Sequence, residues 1–325
     1  MRGSAGQAAL DWARLGAAVL VVCNHTAPLA SCSAAGDFFL TRVLARLAVP
    51  FFLMVSGYFL EQSDWKNAGK LWKKAAVLYG CAIVLYLPLN LYAGQVRADF
   101  LRRLVTDGTF YHLWYFPALL LGIPLARTLR RLGFRTALMA AGILYLAGLG
   151  GDSYYGLACR LPGLEAVYNA IFQVFSYTRN GLFFVPLFLL LGAWMPRIPR
   201  RSAGLGTLAG LALMSGEAFL LRSLEFQRHD SMYLALPGVM ACLFSWLLAV
   251  NHGQRSGLRQ LSALIYLLHP WCIVLVRGGA GALGWDKFLV EDSLIHFLTV
   301  LLLTAGGSIL LLALLRSFPA RKPKV

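Results

Sequence analysis

Charged residues are scarce in this chain of 325 residues. Asp, Glu, Lys and Arg make up 14% of it and hydrophobic residues 58%, whereas soluble proteins carry about 25% charged residues. A soluble helical protein with a large core is therefore disfavoured. Acidic residues are especially few, 14 against 30 basic ones, which leaves a net charge of +16. Such a surplus can indicate nucleic-acid binding, but its distribution has a simpler explanation, and we expect no nucleic-acid partner.

Cysteine is also sparse. The six cysteines are dispersed and show no C-x-x-C spacing, which argues against a metal or redox site. We expect no metal ion and no tightly bound cofactor, and we interpret most of the cysteines as small apolar packing residues. No clear internal repeat is present, so the inverted-repeat organisation of many transporters finds no support here.

Long apolar runs are abundant. A helix that crosses the hydrocarbon core needs about 20 predominantly apolar residues. Ten segments are candidates, at about 8–28, 38–60, 73–93, 112–130, 136–150, 181–196, 203–222, 232–250, 260–278 and 293–316. The fifth is short and is the weakest of them. We therefore predict an all-α polytopic membrane bundle of about ten transmembrane helices, forming a single domain over residues 1–325.

Basic residues collect in every second loop between these segments. The loops of one side, with both termini, hold 18 basic and two acidic residues, and the other side with its span ends holds 11 of each. Cytoplasmic loops carry the excess of Lys and Arg. Both termini are thus predicted to be cytoplasmic, in a multi-pass protein of the cell membrane. The short basic tail at 317–325 is interpreted as an orientation signal that can also contact anionic lipid.

Two charged residues interrupt the first apolar run, where a charge costs at least a few kcal/mol. Asp11 and Arg14 are three residues apart on a helix and can pair locally, and one interpretation is a neutralised pair that anchors the span. His25 follows Arg14 by three helical turns, so both face the same side, about 16 Å apart along the axis. Histidine suits general-base chemistry because its ordinary pKa lies near neutral pH.

Other polar residues lie inside or at the ends of the predicted spans. Each also has a structural interpretation: Trp114 as an interfacial residue, Arg179 as a snorkelling cation, and His269 as a histidine satisfied by a neighbouring carbonyl. Pro50 can loosen the second span, and Gly57 permits close helix contact. The candidates for substrate binding are Arg46, His112, Trp114, Arg179, Asn180, Asp230 and His269.

Two further features stay open at this point. The longest stretch outside the spans, at about 151–180, is rich in aromatic residues. It suits a helix lying at the lipid headgroups or a lid over an outward-facing cavity. Glu217, within the seventh segment, requires a partner that the sequence does not identify.

Together these motifs resemble the acyltransferase-3 family of integral membrane O-acyltransferases. Arg14 and His25 match the Arg-x10-His motif of the family's first span, and Arg46 followed by PFFLMVSGY resembles its second-span pattern. HLWY at 112–115 resembles the start of its fourth span, and ten spans is the family's number. The resemblance covers most of the chain and depends on the combination of these motifs with the topology.

This resemblance implies that an acyl group, expected to be acetyl, passes from cytosolic acyl-CoA to a hydroxyl of an extracytoplasmic glycan or envelope precursor. His25 would deprotonate that hydroxyl, and Arg14, with Asp11 beside it, would act on the donor side. These three residues are the predicted catalytic group. Many members carry Arg-x2-Arg between spans two and three. This chain has Lys70 and Lys73 there instead, as the predicted donor-binding pair, and lysine lacks the bidentate fork of arginine.

The segments RNGLFF, HDSMY and LIYLLHPW resemble one subset of the family in particular, the membrane modules of the serine racemases of glycopeptide resistance. In that subset the module is associated with supplying L-serine, and a pyridoxal-phosphate racemase domain follows it. We expect no racemase activity from residues 1–325. Whether a partner subunit supplies such a domain stays open.

Three functions are compatible with these residues, and an acyltransferase is the preferred one. Arg46, His112 and Trp114 are then the unranked candidates for stabilising the oxyanion. An uptake module for serine or another small amino acid is the alternative, with Arg179, Asn180 and Asp230 binding carboxylate and amine groups. A non-catalytic scaffold or sensor is the third, and it predicts that the polar residues pair with one another.

Overall fold

A computed structural model describes residues 8–197, 200–250 and 258–317, and within these ranges the chain is helical without a strand. Its contacts divide the chain into two compact units. Unit 1 comprises residues 1–48 with 251–325, and unit 2 comprises residues 49–250. The predicted all-α class is confirmed. Most of the predicted basic tail lies outside the described residues.

The described residues form fourteen α-helices. They are α1 Ala8–Thr26, α2 Ala34–Phe38, α3 Ala48–Gln62, α4 Ala68–Tyr92, α5 Phe100–Thr106, α6 Tyr115–Arg130, α7 Phe134–Leu149, α8 Tyr155–Ala158, α9 Leu164–Val174, α10 Val185–Trp194, α11 Ala203–Ser223, α12 Leu236–Ala249, α13 Leu258–Leu283 and α14 Ser293–Ser317. Each of the ten apolar segments predicted from the sequence overlaps one α-helix of ten or more residues.

In the described part of the chain, five helical segments are long and apolar enough to cross a membrane: Ala34–Gln62, Ala68–Tyr92, Ala203–Ser223, Leu258–Leu283 and Ser293–Ser317. Three further apolar helical segments, Phe134–Leu149, Val185–Arg197 and Leu236–Ala249, are shorter than a full span. A membrane protein with several spanning helices is thus supported. The number of ten spans and the orientation of the termini stay predictions.

Unit 1 is built around α1, which packs against α13 and α14, while those two also pack against each other. The loop after α1 is fastened to the start of α14. Ser293 Oγ donates to the carbonyl of Pro28 at 2.8 Å, and the backbone N–H of Ser31 donates to Ser293 Oγ at 3.0 Å. These bonds fix the end of α1 at which His25 lies.

The helical segment at Ala34–Gln62 is irregular before α3 begins. It forms a π-helical turn at Phe39–Val43 and a 3-10 turn at Leu44–Leu47. Pro50 contributes to this, because proline has no N–H to donate to the carbonyl of Arg46 four residues earlier. The expected loosening therefore lies on the N-terminal side of Pro50, which itself stands in the first turn of α3, where the missing donor costs little.

Unit 2 is centred on α10, most of whose residues are buried and which contacts α6, α7 and α12. Helix α3 approaches α10 at two glycines. A Cβ added at Gly57 would overlap the carbonyl oxygen of Leu189, and one at Gly192 would overlap that of Met54. Only glycine allows two backbones to come this close. The expectation that Gly57 permits close helix contact is confirmed.

The aromatic stretch at 151–180 contains the short helices α8 and α9. The predicted helix therefore exists over Leu164–Val174. Its position at lipid headgroups or over a cavity stays a prediction.

Candidate functional site

Unit 1 holds the predicted catalytic group on one helix. Arg14 and Asp11 are 6% and 4% exposed, and the guanidinium forms an ion pair with the carboxylate one turn earlier. The other buried residues of α1 are mainly small or aliphatic. The local pairing expected for these two residues is therefore observed, and it lowers the free-energy cost of a charge in an apolar helix face.

His25 lies at the far end of α1 and stacks on His269 of α13. The ring centroids are 5.2 Å apart, and the ring planes differ by 21°. His269 is fully buried, and His25 is half-buried. The sequence did not reveal whether these two imidazoles meet, because the contact joins residues more than 240 positions apart. We call them the histidine pair.

The neighbouring proline sets the protonation of the His269 ring. Pro270 has no N–H, so it cannot donate to the carbonyl of Tyr266, its usual helical partner. His269 Nδ1 lies 2.8 Å from that carbonyl oxygen and 3.2 Å from that of Ile265. A carbonyl only accepts, so Nδ1 carries the proton of the neutral ring, and Nε2 keeps the lone pair. The interpretation of His269 as satisfied by a neighbouring carbonyl is thus observed for one of its two nitrogens.

Arg46, a predicted substrate-binding residue, lies in the 3-10 turn of unit 1 and is 9% exposed. Departures from α-helical geometry inside a helix are frequent at functional sites. The same turn contacts α1, the helix that carries Arg14 and His25.

Unit 2 brings together several of the other predicted binding residues. The guanidinium carbon of Arg179 lies 4.7 Å from the ring centroid of Trp114 and 4.6 Å from that of Tyr177. Tyr177 in turn meets His229 edge to face, with centroids 4.8 Å apart. Cation–π contact with two rings holds an arginine in one orientation. This arginine–aromatic cluster (Trp114, Tyr177, Arg179 and His229) joins the starts of α6 and α10 to the segment before α12.

Asn180 holds the loop that precedes α10. Its side-chain oxygen accepts from the N–H groups of Leu182 and Phe183 at 2.9 and 3.1 Å, and its amide donates to the carbonyl of Tyr177 at 2.9 Å. These bonds position the neighbouring Arg179. Asp230 is partly exposed beside His229. Their assignment to substrate binding stays a prediction, as does that of His112, which is 1% exposed.

Asp152 is a residue that the sequence argument missed. It is fully buried after α7, and its Oδ1 accepts from the backbone N–H groups of Ser231 and Met232 at 2.7 and 2.9 Å. Burial raises the pKa of this carboxyl to about 6, although those two N–H groups and the charge of Arg179 oppose the rise. The only available signal was a single Asp between small residues in GGDS, which marks a turn but not its partner.

Asp152, His229 and Ser231 contain the residue types of a catalytic triad but not its geometry. Ser231 Oγ bonds to Nδ1 of His229, and Asp152 Oδ2 lies 3.7 Å from the same nitrogen. A triad needs the carboxylate and the hydroxyl on opposite ring nitrogens. This set therefore fastens a loop and cannot relay a proton to a serine nucleophile.

Glu217 finds the partners that the sequence could not identify. Its Oε1 accepts from Tyr154 Oη at 2.8 Å and from the N–H of Leu234 at 2.6 Å, and its Oε2 accepts from the N–H of Ala235 at 2.9 Å. A carboxylate at the start of α12 satisfies N–H groups and interacts favourably with the helix dipole. Glu217 therefore holds the start of the next helix.

Lys70 and Lys73 are exposed in the first turns of α4. Elsewhere in unit 2, at the ends of α3, α6 and α10 that the charge pattern predicts to be cytoplasmic, two arginines meet one carboxylate. Glu61 accepts from Arg130 at 3.2 Å and from Arg197 at 3.1 Å. Both guanidinium carbons lie over the Phe134 ring, 3.7 and 4.0 Å from its centroid.

These observations define a class of protein: a helical membrane protein in which one helix carries a buried arginine and one member of a histidine pair. The family model described as an acyltransferase domain, that of the acyltransferase-3 family, matches residues 7–313. The chain therefore belongs to the acyltransferase-3 family, as its motifs predicted.

Curated relatives carry racemase names. Two proteins named amino-acid racemase from Enterococcus faecalis are 40% and 35% identical over 97% of this chain, which corresponds to 46% and 47% of their own lengths. A serine/alanine racemase from Enterococcus gallinarum is 36% identical over 91% of this chain and 45% of its own length. The chain thus spans a little under half of these relatives, and the predicted likeness to racemase membrane modules is confirmed. No solved structure gives a significant match.

Proposed function

We propose that this protein is a membrane acyltransferase that moves an acyl group, expected to be acetyl, from cytosolic acyl-CoA to a hydroxyl of an extracytoplasmic glycan or envelope precursor. Family membership over residues 7–313 supports the reaction class. The observation that carries the assignment to particular residues is the histidine pair, because it holds one half-buried imidazole against a ring of fixed tautomer. A multi-pass location in the cell membrane is part of the proposal.

In the proposed reaction His25 takes the proton of the acceptor hydroxyl while the oxygen attacks the thioester carbonyl. A carbon–oxygen bond forms, the carbon–sulfur bond breaks, and the thiolate of coenzyme A leaves and takes up a proton. A positioned general base contributes roughly 10²–10⁴ in rate. His269 acts on His25 and not on substrate: its ring, oriented by the Tyr266 carbonyl, limits the rotation of His25.

The donor side involves Arg14 in this proposal. Its ion pair with Asp11 keeps the guanidinium in one orientation on the same helix as His25. Lys70 and Lys73 are exposed and can reach the phosphates of the donor. Acyl transfer also needs a donor of hydrogen bonds to the oxyanion. Arg46, buried in unit 1, is one candidate, and His112 and Trp114 of unit 2 are the others.

The test uses the full chain in proteoliposomes, with acetyl-CoA and a neutral oligosaccharide acceptor, and acetylated product is measured by mass spectrometry. We expect His25→Ala and His25→Gln to lower kcat by about 10²–10⁴ with unchanged folding. His296→Gln is the matched control. That histidine is also buried in unit 1, with Nδ1 2.9 Å from the carbonyl of Leu289. Unchanged acetylation in both His25 variants would end the assignment.

A second function is favoured by one observation, the names of the relatives. Proteins named for racemisation of amino acids match nearly all of this chain. A module that takes up serine or a similar amino acid, without racemase activity, is compatible with this. Arg179 carries the charge that would attract a carboxylate, and Asn180 and Asp230 follow in the same unit.

Flux of labelled L-serine into vesicles that lack acyl-CoA separates the two functions. Flux that persists in His25→Ala and falls in Arg179→Gln would favour uptake. Absence of flux together with His25-dependent acetylation would favour the acyltransferase.

A further inference from the structure

Unit 2 contains two polar side chains that are buried and without partners. Asn90, on α4, is fully buried, and Thr109, before α6, is 2% exposed. Neither Nδ2 nor Oδ1 of Asn90, nor Oγ1 of Thr109, has a hydrogen-bond partner among the residues that the structure describes. Buried polar groups are nearly always hydrogen-bonded, and each exception calls for an explanation such as a functional role or an unseen water or ion.

Both residues neighbour one aromatic contact along the chain, that of Tyr86 with Phe110. Asn90 lies one helical turn after Tyr86, on the same face of α4. The Tyr86 ring stacks on Phe110, the residue after Thr109, at 4.9 Å, and meets His112 edge to face at 4.7 Å. We call Asn90, Thr109, Tyr86, Phe110 and His112 the neutral cluster.

The geometry of the loop holds this cluster together. Gly108 has a positive φ of 83°, and an added Cβ there would overlap the backbone of Leu113 and Trp114. Only glycine fits this turn. The turn closes residues 108–114 into a compact loop, in which Phe110 and His112 both contact Tyr86 of α4.

The charged side chains of Asp107 and Arg103, near the cluster, already have bonding partners. Asp107 accepts from the N–H and the hydroxyl of Ser176 at 2.9 and 2.7 Å and from Arg102 at 3.0 Å. Arg103 bonds to the backbone and side chain of Gln95. The unsatisfied groups of Asn90 and Thr109 are an amide and a hydroxyl, which are uncharged and can both donate and accept.

We propose that the neutral cluster is a binding subsite for an uncharged ligand rich in hydroxyl or amide groups, such as a sugar ring. A carboxamide and a hydroxyl beside aromatic rings match alternating polar and apolar faces of such a ligand. A phosphate or a zwitterion would instead need a charge that the unsatisfied atoms do not carry. The identification of this ligand with the acceptor rests on the proposed acyltransferase function, whereas the binding itself does not.

The test exploits the cost of leaving buried polar groups unpaired. Asn90→Leu and Thr109→Val replace the polar groups by apolar ones of similar shape, which removes unsatisfied atoms without leaving a cavity. Each should raise the thermal unfolding midpoint of the ligand-free protein, by about 2 °C. Each should also raise the Kd for a neutral sugar at least about tenfold, because a site built to hydrogen-bond a ligand loses its partner. Stability would rise while binding falls, as is common where function requires a costly site.

The measurement is the shift of the unfolding midpoint of the full chain in nanodiscs on addition of N-acetylglucosamine, with L-serine as the charged comparison probe. Ser308→Ala is the control, since Ser308 Oγ is a fully buried hydroxyl of unit 1 that also has no partner among the described residues. It should raise stability and keep the sugar-induced shift. The proposal predicts a shift with the sugar that both unit 2 variants lose.

Three outcomes would overturn the subsite: a full sugar-induced shift in Asn90→Leu, a shift with L-serine alone, or no shift with either probe. A full shift in Asn90→Leu would mean that buried water, and not the sugar, hydrogen-bonds to the Asn90 amide. Acetylation measured on the same variants keeps this result separate from the proposed function. Normal acetylation by Asn90→Leu with unchanged acceptor KM removes the identification of the bound ligand with the acceptor and leaves the enzyme. Sugar binding by a wild-type protein that shows no acetylation removes the proposed enzyme and leaves the subsite.

Discussion

The two units use their buried polar side chains in different ways. Unit 1 holds two buried contacts of side chain with side chain, the Asp11–Arg14 ion pair and the histidine pair. In unit 2 the carboxylates of Asp152, which is buried, and Glu217, which is partly exposed, accept backbone N–H groups and thereby hold loops and helix ends. In the proposed function the side chains of unit 1 are the groups that change protonation, while these two carboxylates of unit 2 hold loops and a helix start.

Asp152→Asn should have the largest effect on stability. The carboxamide oxygen can still accept from Ser231 and Met232, but the side chain no longer ionises. Below a pH of about 4 the carboxyl is protonated in both folded and unfolded chains, so it carries no penalty. Between about 4 and 6 the unfolded chain loses its proton first and folding becomes less favourable. Above that range the penalty is complete, about 3 kcal/mol.

The variant should therefore be more stable than the wild type near pH 7 by up to about 3 kcal/mol, with the difference vanishing below pH of about 4. Thermal unfolding of both proteins between pH 4 and 7.5 measures this. If the unfolding midpoints of the two proteins differ by the same amount at every pH, ionisation of Asp152 does not destabilise the folded protein. The contrast between the two units would then weaken.

Substitution of His269 tests whether unit 1 uses its side chains for chemistry. His269→Ala removes the ring on which His25 stacks, and we expect kcat for acetyl transfer to fall about 10–100-fold through loss of orientation. His269→Phe keeps a flat ring there and should retain most activity. If both variants lose activity equally, the Nε2 atom of His269 takes part directly and is more than a positioning group.

Glu217→Gln tests the loop-holding role assigned to unit 2. The side-chain amide of the variant would place its own N–H group against the backbone N–H of either Leu234 or Ala235, where an acceptor oxygen is needed. The free energy of unfolding should fall by about 1.5–2 kcal/mol, because hydrogen bonds to a charged acceptor are lost at a helix start. Tyr154→Phe removes only the third bond and should cost less. Equal stability of Glu217→Gln and wild type, measured by denaturant unfolding, would contradict the role.

Glu61→Gln should have the smallest effect. Its carboxylate is 18% exposed and contacts Arg130 and Arg197, which are themselves 25% and 43% exposed. Ion pairs that are open to solvent contribute about 0.5–1 kcal/mol, and salt reduces that further. Unfolding measured at low and high salt should show a small difference only at low salt. A large loss of unfolding free energy that does not depend on salt would mean that Glu61 behaves as a buried carboxylate.

Much of the fold was predictable from the sequence, because membrane helices depend on local composition. Each apolar run predicted a helix, and the close approach at Gly57 followed from a small residue in such a run. The number of spans was less accessible, since α7, α10 and α12 are apolar but shorter than the bilayer core. The Arg14–Asp11 pair was also predictable, as its partners are three residues apart on one helix.

Long-range partners were not predictable. The sequence indicated that His25 and His269 were chemically suited to a site, but it gave no distance between them, and it missed Asp152, Asn90 and Thr109 entirely. The local sequence around a carboxylate in a turn or an asparagine in a helix is the same whether or not distant groups hydrogen-bond to it.

By itself, then, the sequence determined an all-α membrane protein, the family to which it belongs and the residues of α1 that bear charge. The reason is that hydrophobic length, helical spacing and short motifs are local properties of the chain. Only the tertiary structure decided that two imidazoles stack, that Glu217 holds the start of α12, and that two polar side chains of unit 2 lack partners. These facts depend on which segments pack together, and hydrogen bonding and burial exist only once they do.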